Sequence, residues 1–193
     1  YNIRKTSGAG IITILASAGD LAGEGFDQDN ADPGTLIIWS TGTTFYSQGT
    51  GNFSTLTNWD SNPAGGGSDP VAANLTSGLC TFIVQNGHTI TVNQNVDLFN
   101  LTVQNGGIVS VGSSTTARTI TTREDLNVNN GGTFQLSVFD AIHPIYIYGD
   151  LTINGTFDVY NSSTQVANIY FYSMAEQSVN GSPTSSQFNT ITI

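Results

Sequence analysis

Leu101-Thr102-Val103-Gln104-Asn105-Gly106-Gly107-Ile108-Val109-Ser110-Val111 returns 25 residues later as Leu126-Asn127-Val128-Asn129-Asn130-Gly131-Gly132-Thr133-Phe134-Gln135-Leu136. An earlier copy, Phe82-Ile83-Val84-Gln85-Asn86-Gly87-His88-Thr89-Ile90-Thr91-Val92, stands 19 residues before the first. A shorter copy, Leu151-Thr152-Ile153-Asn154-Gly155-Thr156-Phe157-Asp158-Val159, comes a further 25 residues on, and Ile191-Thr192-Ile193 reads as a partial fifth after a step of 40. Self-similarity at such periods is the sequence mark of a solenoid. Within each copy, apolar and polar residues alternate on both sides of an Asn-Gly corner, the period of half-buried strands. Phe82/Val84, Leu101/Val103, Leu126/Val128 and Leu151/Ile153 are the expected inward positions before the corner. Ile90/Val92, Val109/Val111, Phe134/Leu136 and Phe157/Val159 are those after it.

Equivalent strands that recur at this distance in one direction cannot be hairpin partners. They become parallel neighbours if each repeat is one coil of chain, with coils about 4.8 Å apart. A third strand fits the spacing at Thr119-Ile120-Thr121, Ile145-Tyr146-Ile147-Tyr148 and Ile169-Tyr170-Phe171-Tyr172. The expected fold is all-β, a right-handed parallel β-helix, with right-handed coiling the default for parallel crossovers. A β-sandwich is the alternative, since many short strands also suit it. Residues 80–193 carry the repeat. Residues 1–79 do not, and are assigned to an N-terminal β cap or assembly segment, because an uncovered coil exposes apolar core and unpaired edges. In that segment Ile11–Leu15 and Leu36–Trp39 read as strands around an acidic, glycine-rich loop, and residues 60–78 as irregular linker.

The composition narrows the function classes. With 193 residues, 20.3 kDa and only 9% charged side chains, the chain has neither long charged helices nor charge-rich disorder. Its formal charge is −10, and Arg4, Lys5, Arg118 and Arg123 are its only cations, so no basic groove for nucleic acid is available. No stretch reaches the about 20 apolar residues of a membrane-spanning helix, and membrane insertion is not expected. Arg4-Lys5, the apolar run at Ile11–Leu15 and Ala16-Ser17-Ala18 imitate a signal peptide, but the run is too short and reads as a strand. The start at Tyr1 without methionine suggests processing or a fragment. Cys80 is alone, so no internal disulfide or cysteine-based zinc site forms.

Phe45-Tyr46-Ser47, Gly51-Asn52-Phe53, Asn58-Trp59 and Asn86-Gly87-His88-Thr89-Ile90-Thr91-Val92 resemble the opening of secreted surface proteins of Bacteroidota. In that group an aromatic-Tyr-Ser, Gly-Asn-Trp, Trp-Ser opening precedes an Asn-Gly-His-Thr-Val-Thr-Val strand and β-solenoid repeats. The resemblance spans roughly residues 44–193, and Phe53 stands where the group has Trp. It implies a module of a large adhesin or gliding-type surface protein exported by the type IX route, although no sorting domain is visible.

Three sets of residues are candidates for chemistry or contact. Asp27, Asp29 and Asp32, in the acidic stretch Asp20–Asp32, offer alternating oxygens that calcium prefers, without the flanks or terminal Glu of an EF-hand. The alternative is a solvated acidic loop, so the cofactor is none or calcium. Tyr146, Tyr148, Tyr170 and Tyr172 alternate with inward Ile145, Ile147, Ile169 and Phe171, and their spacing of 24 stacks 146 on 170 and 148 on 172. Such a face suits sugars or a protein partner, or simply braces neighbouring strands. Ile11, Ile12, Ile14 and Leu15, a strand that reads as detached, and Ile191 and Ile193 at the other end are candidate assembly strands. His88 reads as a surface turn residue and His143 as an edge or loop residue before Pro144. Asp125 and Asp150 stand at Asp-Leu strand starts, a poor match to the fixed carboxylate pair of a glycosidase. The expectation is a non-enzymatic, extracellular structural module. It is either part of a cell-surface adhesin or stalk or a subunit of a filament built by strand addition. Its partners are like subunits, further repeats of the same protein, or glycans. A carbohydrate-binding or polysaccharide-cleaving β-helix is the alternative.

Overall fold

The computed structural model describes residues 12–16, 34–38, 42–173 and 176–193. The chain divides into two compact units, Tyr1–Gly42 and Thr43–Ile193. In the first, β1 (Ile12–Ala16) and β2 (Gly34–Ile38) form an antiparallel pair with Ile12 opposite Ile38 and Ala16 opposite Gly34. The strand expected to be detached therefore has a partner in its own unit.

The second unit opens with β3 (Thr44–Ser47), β4 (Gly51–Asn52) and β5 (Trp59–Asp60). Four three-strand coils follow. The first is β6 (Thr81–Val84), β7 (Thr89–Val92) and β8 (Val96–Leu98), and the second is β9 (Leu101–Val103), β10 (Ile108–Val111) and β11 (Ile120–Thr122). The third is β12 (Leu126–Val128), β13 (Thr133–Leu136) and β14 (Ile142–Ile147), and the fourth is β15 (Leu151–Ile153), β16 (Thr156–Asp158) and β17 (Val166–Phe171). A last set, β18 (Val179–Asn180), β19 (Ser185–Gln187) and β20 (Ile191–Thr192), stacks on the fourth coil.

Corresponding strands build three sheets, in the orders β5-β3-β6-β9-β12-β15-β18, β4-β7-β10-β13-β16-β19 and β8-β11-β14-β17-β20. Pairing within them is parallel throughout except at β5, so the fold is a parallel β-helix and the sandwich alternative is excluded. Phe82, Leu101, Leu126 and Leu151 lie opposite one another in successive strands, and all four are buried. Matched register is what the sequence pattern demands, because a slip of one residue would turn every apolar side chain outward. Parallel columns run Ile90–Val109–Phe134–Phe157 and Val96–Ile120–Ile145–Ile169 on the other two sheets.

Two expectations about the ends are corrected. Val179 and Asn180, not Ile191 and Thr192, continue the Leu151-Thr152 column, at a step of 28. Ile191 pairs with Ile169 and Thr192 with Tyr170, in the third sheet. Val179-Asn180 has none of the apolar alternation of the earlier copies, so the eye passes to the next Ile-Thr-Ile. At the other end, residues 43–79 belong to the compact unit of the coils although their sequence lacks the repeat, with the boundary between Gly42 and Thr43 rather than after residue 79. β3 and β4 run parallel to β6 and β7, with Phe45 over Phe82 and Asn52 over Thr91. β5 then turns back antiparallel and covers the β3 edge, with Trp59 opposite Ser47.

An aromatic cluster closes this end. Phe53 and Trp59 are fully buried with ring centroids 4.7 Å apart, and Phe82 sits 5.1 Å from Phe53 and 4.9 Å from Trp59. The Trp59 indole N–H donates to the Phe53 carbonyl at 3.0 Å, which satisfies the one polar atom such a side chain brings into a core. The stretch read as irregular linker is ordered by Asp60, whose Oδ1 accepts from the Asn62 and Gly67 amides at 2.7 and 2.9 Å.

Candidate functional site

The outward face of the third sheet is the most chemically distinct surface of the unit. Along one column lie Asp97, Thr121, Tyr146, Tyr170 and Thr192, each opposite the next. Arg123, Tyr148 and Tyr172 follow Thr122, Ile147 and Phe171 just beyond the strand ends, where the Tyr148 amide donates to Thr122 O and the Tyr172 amide to Ile147 O. The inward residues on the same strands, Ile145, Ile147, Ile169 and Phe171, are buried, so the alternation holds the tyrosines outside. The expected pairs are both formed. Tyr146 and Tyr170 stack with centroids 5.1 Å apart and planes 25° apart, and Tyr148 meets Tyr172 edge-on at 5.9 Å and 65°.

The face is graded along the coil axis. At one side Arg123 lies over the Tyr148 ring, 5.0 Å from its centroid, and grips Asp97 through two hydrogen bonds, Nε to Oδ1 at 2.8 Å and a terminal nitrogen to Oδ2 at 2.5 Å. This bond holds the guanidinium pKa above its ordinary value, and the cation is neutralised where it stands. At the other side a groove of about 750 Å³ opens, lined by the four tyrosines with Phe171, Ser173, Thr192 and Ile193. That volume is within the range of small-ligand sites. Among the described side chains that line it there is no carboxylate, imidazole or cation. Tyr172 is 65% exposed and is the most open of the rings. Reading the strand parity located the tyrosines. The part played by Thr192 and Ile193 was missed, because it follows from the corrected register of β20.

Ile12, Ile14 and Leu15 lie on β1 in the other unit, whereas Ile11, Asp27, Asp29 and Asp32 lie outside the described residues. Among the described residues no three His, Cys, Asp or Glu side chains gather where a metal ion would be held. Asp125 and Asp150 have a structural task that the sequence reading did not assign. The Asp125 amide donates to Asn100 Oδ1 at 2.7 Å, the Asp150 amide to Asp125 Oδ1 at 2.8 Å, and the Ser178 amide to Asp150 Oδ1 at 2.8 Å. Each side chain thus takes up the backbone N–H one coil further on. The signal was present as an Asn or Asp before Leu101, Leu126 and Leu151.

The histidines also find their partners. His88 Nδ1 is 2.8 Å from Ser47 Oγ, tying the Asn-Gly corner to the opening coil. His143 is neither at an edge nor in a loop. It is fully buried on the inward face of β14, between β11 and β17, and its Nδ1 accepts the Arg118 amide at 2.9 Å while Nε2 has no partner. Burial pushes its pKa below the ordinary value, and the Arg118 charge acts the same way. Cys80 is buried with Asn74 Nδ2 3.3 Å from its sulfur, and burial raises the thiol pKa, which disfavours the thiolate. No family model, curated protein or solved structure matches the chain.

Proposed function

We propose that the chain is a non-enzymatic structural module of an extracellular, cell-surface protein. It serves as a length of adhesin or stalk, or as a filament subunit that joins its neighbours by strand addition. The observation that supports this best is the unbroken stacking of coils. Apolar columns and the Asn100–Asp125–Asp150 ladder both run from coil to coil, so strength is built along one axis. The strand-addition version draws on β18, β19 and β20, outermost in their sheets, with Val179 and Ile191 about half exposed.

Electron microscopy of the purified chain separates the two versions. Ordered polymers that disappear in Ile191→Asp support the filament subunit, and uniformly dispersed particles reject it in favour of the stalk. The surface placement is tested by protease treatment of intact source cells. Release of peptides from residues 43–193 supports it, and their full retention inside the cells overturns it.

A further inference from the structure

We infer that the groove beside Tyr170 and Tyr172 is a binding site for a neutral oligosaccharide chain lying along the stacked coils. This inference stands on the groove alone and does not depend on the structural role proposed above. Four observations converge on that ligand class. The lining is aromatic and aliphatic with hydroxyl tips from Tyr146, Tyr148, Tyr170, Tyr172 and Thr192. A sugar ring offers the matching surface, with C–H patches on its faces and hydroxyls around its rim, so flat rings take the faces and phenol groups the rim.

Charge selects against the alternatives. Among the described side chains that line the groove the phenols are the only ionisable groups, the acidic Glu176 lies in the hollow that adjoins it at Phe171, Ser173 and Ile193, and the neighbouring Arg123 is already paired with Asp97. An acidic sugar would find no counter-charge, on a chain whose net charge is −10. Geometry adds the third argument. Stacking covers one face of each ring in the Tyr146–Tyr170 pair, whereas an edge-on contact such as Tyr148–Tyr172 leaves one ring clear on both faces, and Tyr172 is open to solvent. The fourth is periodicity. Tyr146 and Tyr170 repeat one position over two successive coils, with Thr192 next in the column, and a linear polymer of repeating units can meet those two coils in the same way. Because β14 and β17 are paired over six residues, the Tyr146 and Tyr170 rings are set in place before any ligand arrives and add little ordering cost.

Affinity electrophoresis of the full chain tests this, with gels containing a neutral β-glucan, a neutral galactomannan, or acidic polygalacturonate. Retardation by a neutral polymer, weakened about tenfold or more in Tyr172→Ala and Tyr170→Ala but not by acidic polymer, supports the site. Both variants are checked for an unchanged melting midpoint, and Tyr172→Phe separates ring from hydroxyl by retaining most of the binding. Absence of retardation by either neutral polymer overturns the inference, as does retardation that persists in both alanine variants. Two further results also overturn it: preferential binding of polygalacturonate, and a dimer in light scattering that Tyr172→Ala dissolves, which would assign the face to a second copy of the chain.

Discussion

Residues 43–79 close their end of the solenoid with Phe45, Phe53, Trp59 and Leu75, whereas residues 80–173 fill their coils with Leu, Ile and Val at matched positions. In the first region Phe45 stacks on its register partner Phe82, but Phe53 and Trp59 meet each other and Phe82 at tilted or perpendicular angles. In the second, a side chain meets its own equivalent above and below. A repeat can therefore lose one member and still be held from both sides, as nearest-neighbour stability implies. A one-off cluster has no such reserve. The largest effect is accordingly expected from Trp59→Ala, at about 3–5 kcal/mol in urea unfolding. Hydrogen exchange should quicken first in β3 and β6 and leave β12 and β15 protected. Loss of protection in all coils together would mean that the plug and the repeats form one cooperative block.

Leu126→Ala probes the other side of the comparison. It removes the middle of the Leu101–Leu126–Leu151 column and should cost about 2–5 kcal/mol, with exchange quickening on both flanks. A smaller effect comes from the corners, where two glycines distinguish backbone from contact. Gly87 and Gly131 both have positive φ, +78° and +76°, but a methyl group on Gly87 would meet open space while one on Gly131 would press on the Asn105 amide of the preceding coil. Gly87→Ala should cost about 1–2 kcal/mol for the left-handed conformation alone. Gly131→Ala should cost more, and equal melting midpoints for the two would show that the Asn105 contact contributes nothing.

The same contrast explains what could be read from the sequence. The columns were legible because a repeat announces its register: Leu101, Leu126 and Leu151 had to stack once the coil was recognised. Tyr146, Tyr148, Tyr170 and Tyr172 followed from strand parity. The opening coil was not legible, since Phe53 and Trp59 find each other through loops with no periodicity, and β4 is only two residues long. The register of β20 failed for a related reason, as Ile191-Thr192 looks equally at home over Leu151 or Ile169. His143 was misplaced because a proline follows it. Yet Pro144 leaves the alternation intact, with His143, Ile145 and Ile147 all inward.

His143 also gives the repeats a pH dependence. Its folded pKa is lowered by burial, so below the ordinary value near 6.5 the unfolded chain binds a proton that the folded chain refuses. Stability should then be level with respect to this group above that pH and fall as the pH drops from about 6.5 toward the folded value. His143→Gln should flatten the change in melting midpoint between pH 7 and 5.5. A wild-type midpoint that holds steady over this interval would mean that water reaches the buried imidazole.

The smallest expected effect is a gain. Thr122 occupies an inward place in the column Leu98–Thr122–Ile147–Phe171, where its three counterparts are apolar. Its hydroxyl is buried and has no hydrogen-bond partner, a cost that nothing in the neighbouring coils offsets. Valine keeps the branched shape and the strand preference while removing the orphaned oxygen. Thr122→Val should therefore stabilise the unit by about 1 kcal/mol in urea unfolding, since a desolvated hydroxyl without a partner costs about 1–3 kcal/mol. If the variant is instead less stable, the hydroxyl is bonded to a trapped water, and the interior of the repeats is not uniformly dry. The difference in midpoint between Thr122→Val and the wild type is thus a direct measure of how completely stacking alone seals the coils, without the aromatic plug.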